Sequence, residues 1–184
     1  SSFKNQKNNH QFKNFLILSR ISKSKNLDVS IDAFLSSDFK SENLDIIGGP
    51  LNQKDVQYES YLKEKYRIYN NVKFIGKVPY EKLPSFLKNY DVNFNSAGTG
   101  FFDKSVLETL SAGLINFYHN QDFDSLYLNH SENYYFTGKE DLTEKINNLK
   151  FLNDNDLKEL FNILNMNLEQ HSLETLGDRL SKFI

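Results

Sequence analysis

The chain has no cysteine and no tryptophan, and only three prolines and one methionine. Without cysteine neither a disulfide nor a thiolate metal site can form, which suits a reducing compartment and makes a cytoplasmic location the expectation. An excess of one charge is lacking too. The 22 basic and 24 acidic residues give a formal charge of −2, so no global field draws the chain to nucleic acid, and any phosphate site must be local. No apolar run nears the roughly 18 to 20 residues that span a bilayer. The N-terminal SSFKNQKNNHQFKN is polar and lacks the apolar segment of a secretion signal. Residues 1–14 therefore read as a polar linker or domain boundary, followed by one domain over 15–184.

Several chemical signatures are missing as well. No Gly-x-Gly-x-x-Gly follows the first apolar run, no Gly-x4-Gly-Lys-Ser/Thr is present, and no Gly-x-Ser-x-Gly elbow occurs. These absences argue against a dinucleotide-binding dehydrogenase, a P-loop nucleotidase and an α/β-hydrolase. A receiver-like domain would need acidic residues after its first strand, where this chain has Ser19 and Arg20. His10, His119, His130 and His171 are scattered without ligand spacing, so structural or surface roles are expected. Asp122 and Asp124 form an Asp-x-Asp triplet that either shares a cation with a nucleotide or starts a short helix; no third acidic ligand stands nearby.

What is present is a core-forming composition. With 184 residues, 39% of them hydrophobic and 14% aromatic, the chain supports one well-packed domain or half of a two-domain protein. The abundance of asparagine and lysine matches codon bias in an AT-rich genome, and asparagines receive no functional weight in this reading. FLIL at Phe15–Leu18 is a short continuous apolar run, as in a strand buried on both faces. Leu27, Ile31, Phe34 and Leu35 make a helical stripe. LDIIGGP, VKFIG, DVNFN and LINFY read as four more strands, and a short YYF as a sixth. Between them lie a polar helix from about Asp55 to Tyr69, with Val56, Tyr61 and Leu62 inward, and a helix opened by Pro79. A short helix at Lys104–Ser111 is closed by Gly113, and another covers about Asp124–Leu128. Helices are predicted over about Glu140–Leu149, Asp154–Leu168 and Ser172–Phe183. This alternation implies an α/β fold, a Rossmann-like doubly wound parallel sheet of about six strands with helices on both faces.

In such sheets ligands bind beyond the carboxyl ends of the strands. There Arg20, Lys23 and Lys25 follow the first strand, a planar fork and two point charges suited to a diphosphate; the plain alternative is solvated basic residues. In GTGFFDKSVLETLSAG (Gly98–Gly113) the glycines allow close backbone approach. Asp103 or a neighbour caps the helix, and free first-turn amides would favour a phosphate. Glu108, one turn inside, suits a pair of sugar hydroxyls; the alternative is an ordinary polar-face glutamate.

LSRISKSKNLDVSIDAF, LDIIGGP, NVKFIGKVPYEKLPSFLKNYDVNFN and FDKSVLETLSAG, in that order and spacing, resemble the C-terminal domain of the group 1 (family 4) retaining glycosyltransferases of the GT-B fold. The closing HSLETLGDRLSKF extends the resemblance over about Phe15–Phe183. It implies that Arg20 and Lys25 hold the donor diphosphate and stabilise charge on the departing nucleoside diphosphate. Glu108 matches the glutamate that binds ribose. The family's first glutamate, eight residues earlier, is replaced by Gly100, with Asp103 and Lys104 the nearest charged substitutes. Gly48, Gly49 and Pro50 are similar to its Gly-x-Gly-Pro turn, and the loop of Lys77 and Val78 resembles the one that lines the nucleobase. Thr99, Phe101, Phe102 and Leu107 complete the implied donor contacts.

The same resemblance implies a UDP- or GDP-sugar substrate and no metal or other cofactor. It further implies a second, N-terminal acceptor domain lying before Ser1, so that the domain alone would not turn over substrate. Peripheral association at the inner face of the membrane is a further expectation for the full enzyme, with a role in surface polysaccharide or glycoconjugate assembly. Two other readings stay open: half of a GT-B-like nucleotide-sugar epimerase, and a degenerate non-catalytic binding module, for which the lost glutamate and the Phe101–Phe102 pair speak.

Overall fold

The computed structural model describes residues 12–100 and 103–170. The predicted helix over Ser172–Phe183 and the residues Phe101, Phe102, His10 and His171 lie outside this range. The strands are β1 (Asn14–Leu18), β2 (Asn43–Ile47), β3 (Val72–Gly76), β4 (Val92–Asn95) and β5 (Ile115–Tyr118). They form one parallel sheet in the order β3-β2-β1-β4-β5. The helices are α1 (Leu27–Ser36), α2 (Gln53–Lys65), α3 (Leu83–Leu87), α4 (Lys104–Ser111), α5 (Asp124–Tyr127), α6 (Ser131–Tyr134), α7 (Lys139–Asn148) and α8 (Asp154–Gln170).

Side chains alternate across a strand, so β1 serves two layers. Phe15 and Ile17 pack into the larger core with Ile31 and Phe34 of α1 and Tyr58 and Leu62 of α2. Leu16 and Leu18 pack on the opposite face with Ile47, Leu83, Leu87 and Leu114. Helices therefore cover both faces, as the apolar runs of β1 and β2 require.

Three expectations are corrected. YYF does not add a sixth strand: Tyr135 makes a single bridge to Tyr118, fixed by the Phe136 amide donating to the Tyr118 carbonyl at 2.9 Å, and α6 ends immediately before it. The inward face of α2 is Tyr58 and Leu62, continued by Tyr66, while Val56 and Tyr61 are exposed. Residues at i, i+4 and i+8 form that stripe, and its two tyrosine hydroxyls reach carboxylates on α1: Tyr58 donates to Asp28 at 2.9 Å and Tyr66 to Asp32 at 2.7 Å. The helix opened by Pro79 is split into a 3-10 turn (Tyr80–Lys82) and α3, because Pro84 has no amide to continue the ladder.

The strand order reverses between β1 and β4, and there the ladder is short. Only Phe15↔Val92 and Leu16↔Asn93 are in register. Beyond them Asn93 Oδ1 accepts from the Leu18 amide at 3.1 Å, so a side chain takes over where the strands part. The crevice that opens above this point is where a doubly wound sheet binds its ligand.

Candidate functional site

Hydrogen bonds between loops fix the carboxyl edge of the sheet. The Ser19 amide donates to the Ile47 carbonyl at 3.0 Å, Ile21 to Gly49 at 3.2 Å and Gly48 to Gly76 at 2.9 Å. The loops after β1, β2 and β3 are thereby locked to one another. Gly48 is required for this approach: its φ is +136°, and a methyl there would stand 1.8 Å from the Ser19 carbonyl oxygen. Gly49 is buried under Lys77, whose Cε lies 2.9 Å from where a Gly49 Cβ would be. The Lys77 head is exposed beside it, and Val78 packs half-buried against Leu83 and its neighbours.

The first of these loops presents the basic residues. Arg20 and Lys23 are exposed, and Arg20 makes no ion pair among the described residues. Lys25 ends a 3-10 turn (Lys23–Lys25) closed by Asn26 in the left-handed conformation. Its ammonium crosses the β1–β4 crevice to Asp103 Oδ2 at 2.6 Å. Burial alone would raise the Asp103 carboxyl, but hydrogen bonds from Lys25 and Ser105 outweigh it and hold the carboxyl below the ordinary carboxylate range.

Asp103 is the N-cap of α4, as its position predicts. Its Oδ1 accepts from the Ser105 amide at 3.1 Å and the Ser105 hydroxyl at 2.8 Å. Its carbonyl accepts from Val106 at 3.1 Å. Two first-turn amides expected to be open to a phosphate are thus already used by the cap itself. Lys104 and Thr99 are exposed, and Leu107 is half-buried against the core. The Gly100 amide donates to Asp122 Oδ2 at 3.3 Å.

Glu108 stands half-buried one turn along α4, with no hydrogen-bond partner for its carboxylate among the described residues. Burial, then the nearby charge of Asp103, raises its pKa, against a smaller lowering by Lys104. A carboxylate in this state gains from any pair of hydroxyls delivered to it.

The asparagines, to which composition gives no functional weight, prove to be structural at the site. Asn93 and Asn116 are fully buried side by side, in register on β4 and β5. Asn93 Nδ2 donates to Asn116 Oδ1 at 2.7 Å, and the Thr109 hydroxyl of α4 donates to the same oxygen at 2.7 Å. Nearer the site, Asn95 Nδ2 donates to the Ser105 hydroxyl at 3.3 Å. This polar seam sets the register of α4 on the sheet, and hence the places of Asp103 and Glu108. Asparagine is depleted in strands, so its recurrence in VNFN and INFY was the available signal.

The Asp-x-Asp triplet divides. Asp122 serves the Gly100 amide, while Asp124 Oδ1 accepts from the Tyr118 hydroxyl at 3.0 Å. Among the described residues no group of three or more histidine or acidic side chains is placed to hold a metal. His119 Nδ1 lies 2.7 Å from the Phe136 carbonyl; a carbonyl only accepts, so this nitrogen carries the proton. A groove of about 930 Å³ runs between the 3-10 turn of the first loop and the start of α2, lined by residues such as Ser22, Asn26, Asn52, Asp55 and Tyr58. It includes none of Arg20, Lys25 and Glu108, so the candidate site is the open crevice and not this groove. No helix among the described residues is long and apolar enough to cross a membrane.

Comparison with solved structures shows the same fold in larger proteins. HepE of Anabaena, solved in complex with UDP, superposes with a TM-score of 0.77 at 16% identity, covering 92% of this chain and 48% of that one. The pneumococcal O-GlcNAc transferase GtfA, solved with UDP and GlcNAc, gives 0.70 at 14% identity, covering 92% and 35%. The C-terminal domain of a group 1 glycosyl transferase (LpcC) from Francisella tularensis gives 0.71 at 17% identity, covering 88% and 87%. This chain thus spans a third to a half of the first two proteins and most of the third domain. Comparison with curated protein sequences returned no match. The model of the family described as "Glycosyl transferases group 1" matches residues 1–159, and with the parallel five-stranded sheet and its loops in place, the chain belongs to the group 1 glycosyl transferases.

Proposed function

We propose that this domain binds a UDP- or GDP-sugar and is the donor half of a retaining hexosyltransferase acting in surface polysaccharide or glycoconjugate assembly. The observation that carries the reading is the Lys25–Asp103 ion pair across the β1–β4 crevice, which joins the loop after β1, where Arg20 is exposed, to α4, where Glu108 is half-buried. The Arg20 fork and the Lys25 ammonium are proposed to hold the diphosphate, and the Glu108 carboxylate, which has no hydrogen-bond partner among the described residues, to take the ribose hydroxyls. In the transfer, the bond from the sugar's anomeric carbon to the diphosphate oxygen breaks, one to an acceptor hydroxyl oxygen forms, and the proton of that hydroxyl passes to the leaving diphosphate. Arg20 and Lys25 take up the charge that develops on the leaving diphosphate, so the proposal invokes no metal. Lys77 and Val78, on the loop locked beside Gly49, are proposed to line the nucleobase. Thr99, Gly100, Lys104 and Leu107 are proposed to line the phosphate and sugar.

Titration calorimetry with UDP- and GDP-sugars tests the reading. Binding of one of them, and its loss in Arg20→Ala/Glu108→Ala, is expected; a chain that binds neither, or a double variant that binds as before, refutes it. Acceptor recognition is assigned to the rest of the protein. The full-length enzyme is expected to transfer with retention of the anomeric configuration, read by NMR of the product.

A further inference from the structure

The Lys25–Asp103 pair has a place and a degree of burial that a surface ion pair lacks. Its partners are 78 positions apart in sequence and stand on opposite sides of the crevice, one on the loop after β1 and one at the start of α4. Their side chains are only 11% and 15% exposed. Asp103 cannot drift toward another partner: Ser105 holds its other oxygen through both amide and hydroxyl, and Asn95 of β4 holds the Ser105 hydroxyl. Lys25 is backed by a turn fixed by its own amide to the Ser22 carbonyl at 3.0 Å and by Asn26 to Lys23 at 3.1 Å.

We propose that Lys25 and Asp103 form a latch across the crevice that an incoming diphosphate must open, so that Asp103 weakens nucleoside-diphosphate binding and speeds its release. This rests on the donor-site reading of Lys25. The physical reason is competition for one cation. Paired with Asp103, the ammonium contributes little net positive field, and the exposed Arg20 and Lys23 are left as the cations of the first loop without an ion pair among the described residues. A phosphate must draw Lys25 from a charge-assisted hydrogen bond at 2.6 Å, against the repulsion of a carboxylate fixed beside it. The departing diphosphate meets the reverse: Asp103 recaptures Lys25 as the anion leaves.

The test is calorimetry and stopped-flow dissociation on the 184-residue chain with UDP, GDP and uridine. Asn and Ser are as good N-caps as Asp, so Asp103→Asn and Asp103→Ser remove the charge and keep the helix start; thermal melting verifies folding. Removing a fixed like charge beside the anion is expected to tighten binding of the diphosphate roughly tenfold, chiefly through slower dissociation. Uridine affinity is expected to stay unchanged. In the wild-type chain the ¹³Cε resonance of Lys25 is expected to shift on adding UDP and not on adding uridine, a readout independent of any variant's folding. Equal or weaker diphosphate binding by both folded variants, or a Lys25 signal indifferent to UDP, overturns the latch while leaving the donor site standing. A chain that binds neither diphosphate, in wild type or variants, overturns both.

Discussion

Replacing Gly48 by alanine probes the joint on which the site rests. The added methyl would stand 1.8 Å from the Ser19 carbonyl oxygen and 2.8 Å from its carbon, and both are backbone atoms that no rotamer change can move aside. At φ +136° the alanine backbone is itself strained by about 1–3 kcal/mol. Relief requires the β1 and β2 loops to separate, which breaks hydrogen bonds such as Ser19 to Ile47 and Ile21 to Gly49, each worth a net ~1 kcal/mol. The sum is roughly 3–5 kcal/mol, or a fall in melting temperature of about 6–20 °C for a chain of this size. Gly76→Ala is the internal reference. Its φ is also positive, +85°, but a methyl there meets nothing within 4 Å, so only backbone strain of about 1–2 kcal/mol applies. Urea unfolding followed by circular dichroism measures both. If Gly48→Ala lies within about 1 kcal/mol of wild type, or costs no more than Gly76→Ala, the reasoning from close approach is wrong.

Three further outcomes are expected. Asn116→Leu removes the acceptor of Asn93 Nδ2 and leaves a buried donor unpaired, at about 2–3 kcal/mol in urea unfolding; adding Asn93→Leu should not restore wild-type stability, because the Leu18 amide then loses Asn93 Oδ1. Glu108 has a raised pKa in the folded chain, so its contribution to stability is present below the unfolded value and lost as pH rises through the folded one. Glu108→Gln should therefore melt higher than wild type at pH 7 and not near pH 3, while binding UDP more weakly. Asp103 has the opposite sign, its folded pKa being held down: its stabilisation is present above the unfolded value and lost as pH falls through the folded one. The stability gap between wild type and Asp103→Asn should accordingly be full at neutral pH and close in acid, as read by melting curves from pH 7 to pH 2.

The strand and helix alternation was legible from local pattern alone, because a parallel sheet buried on both faces leaves short, continuous apolar runs such as FLIL, and α4 carries its own cap and closing glycine at Asp103 and Gly113. Arg20, Lys25 and Glu108 could be placed at the carboxyl edge by that same logic, since strand ends and loop order are local properties. What remained hidden depended on partners far apart in sequence. That Tyr58, and not Val56 or Tyr61, joins Leu62 on the inward face follows from where Asp28 waits on α1. That Asn93, Asn95 and Asn116 are structural follows from α4 arriving with Thr109 and Ser105 to satisfy them. The composition alone made them look like ordinary polar residues of an asparagine-rich chain. The sequence by itself determined the fold class, the loops that carry the candidate site and the kinds of charge in those loops, because those rest on periodicity and residue chemistry. Only the tertiary structure decided that Asp103 meets Lys25 across the crevice, because an ion pair over 78 positions is created by strand order and exists in no local segment.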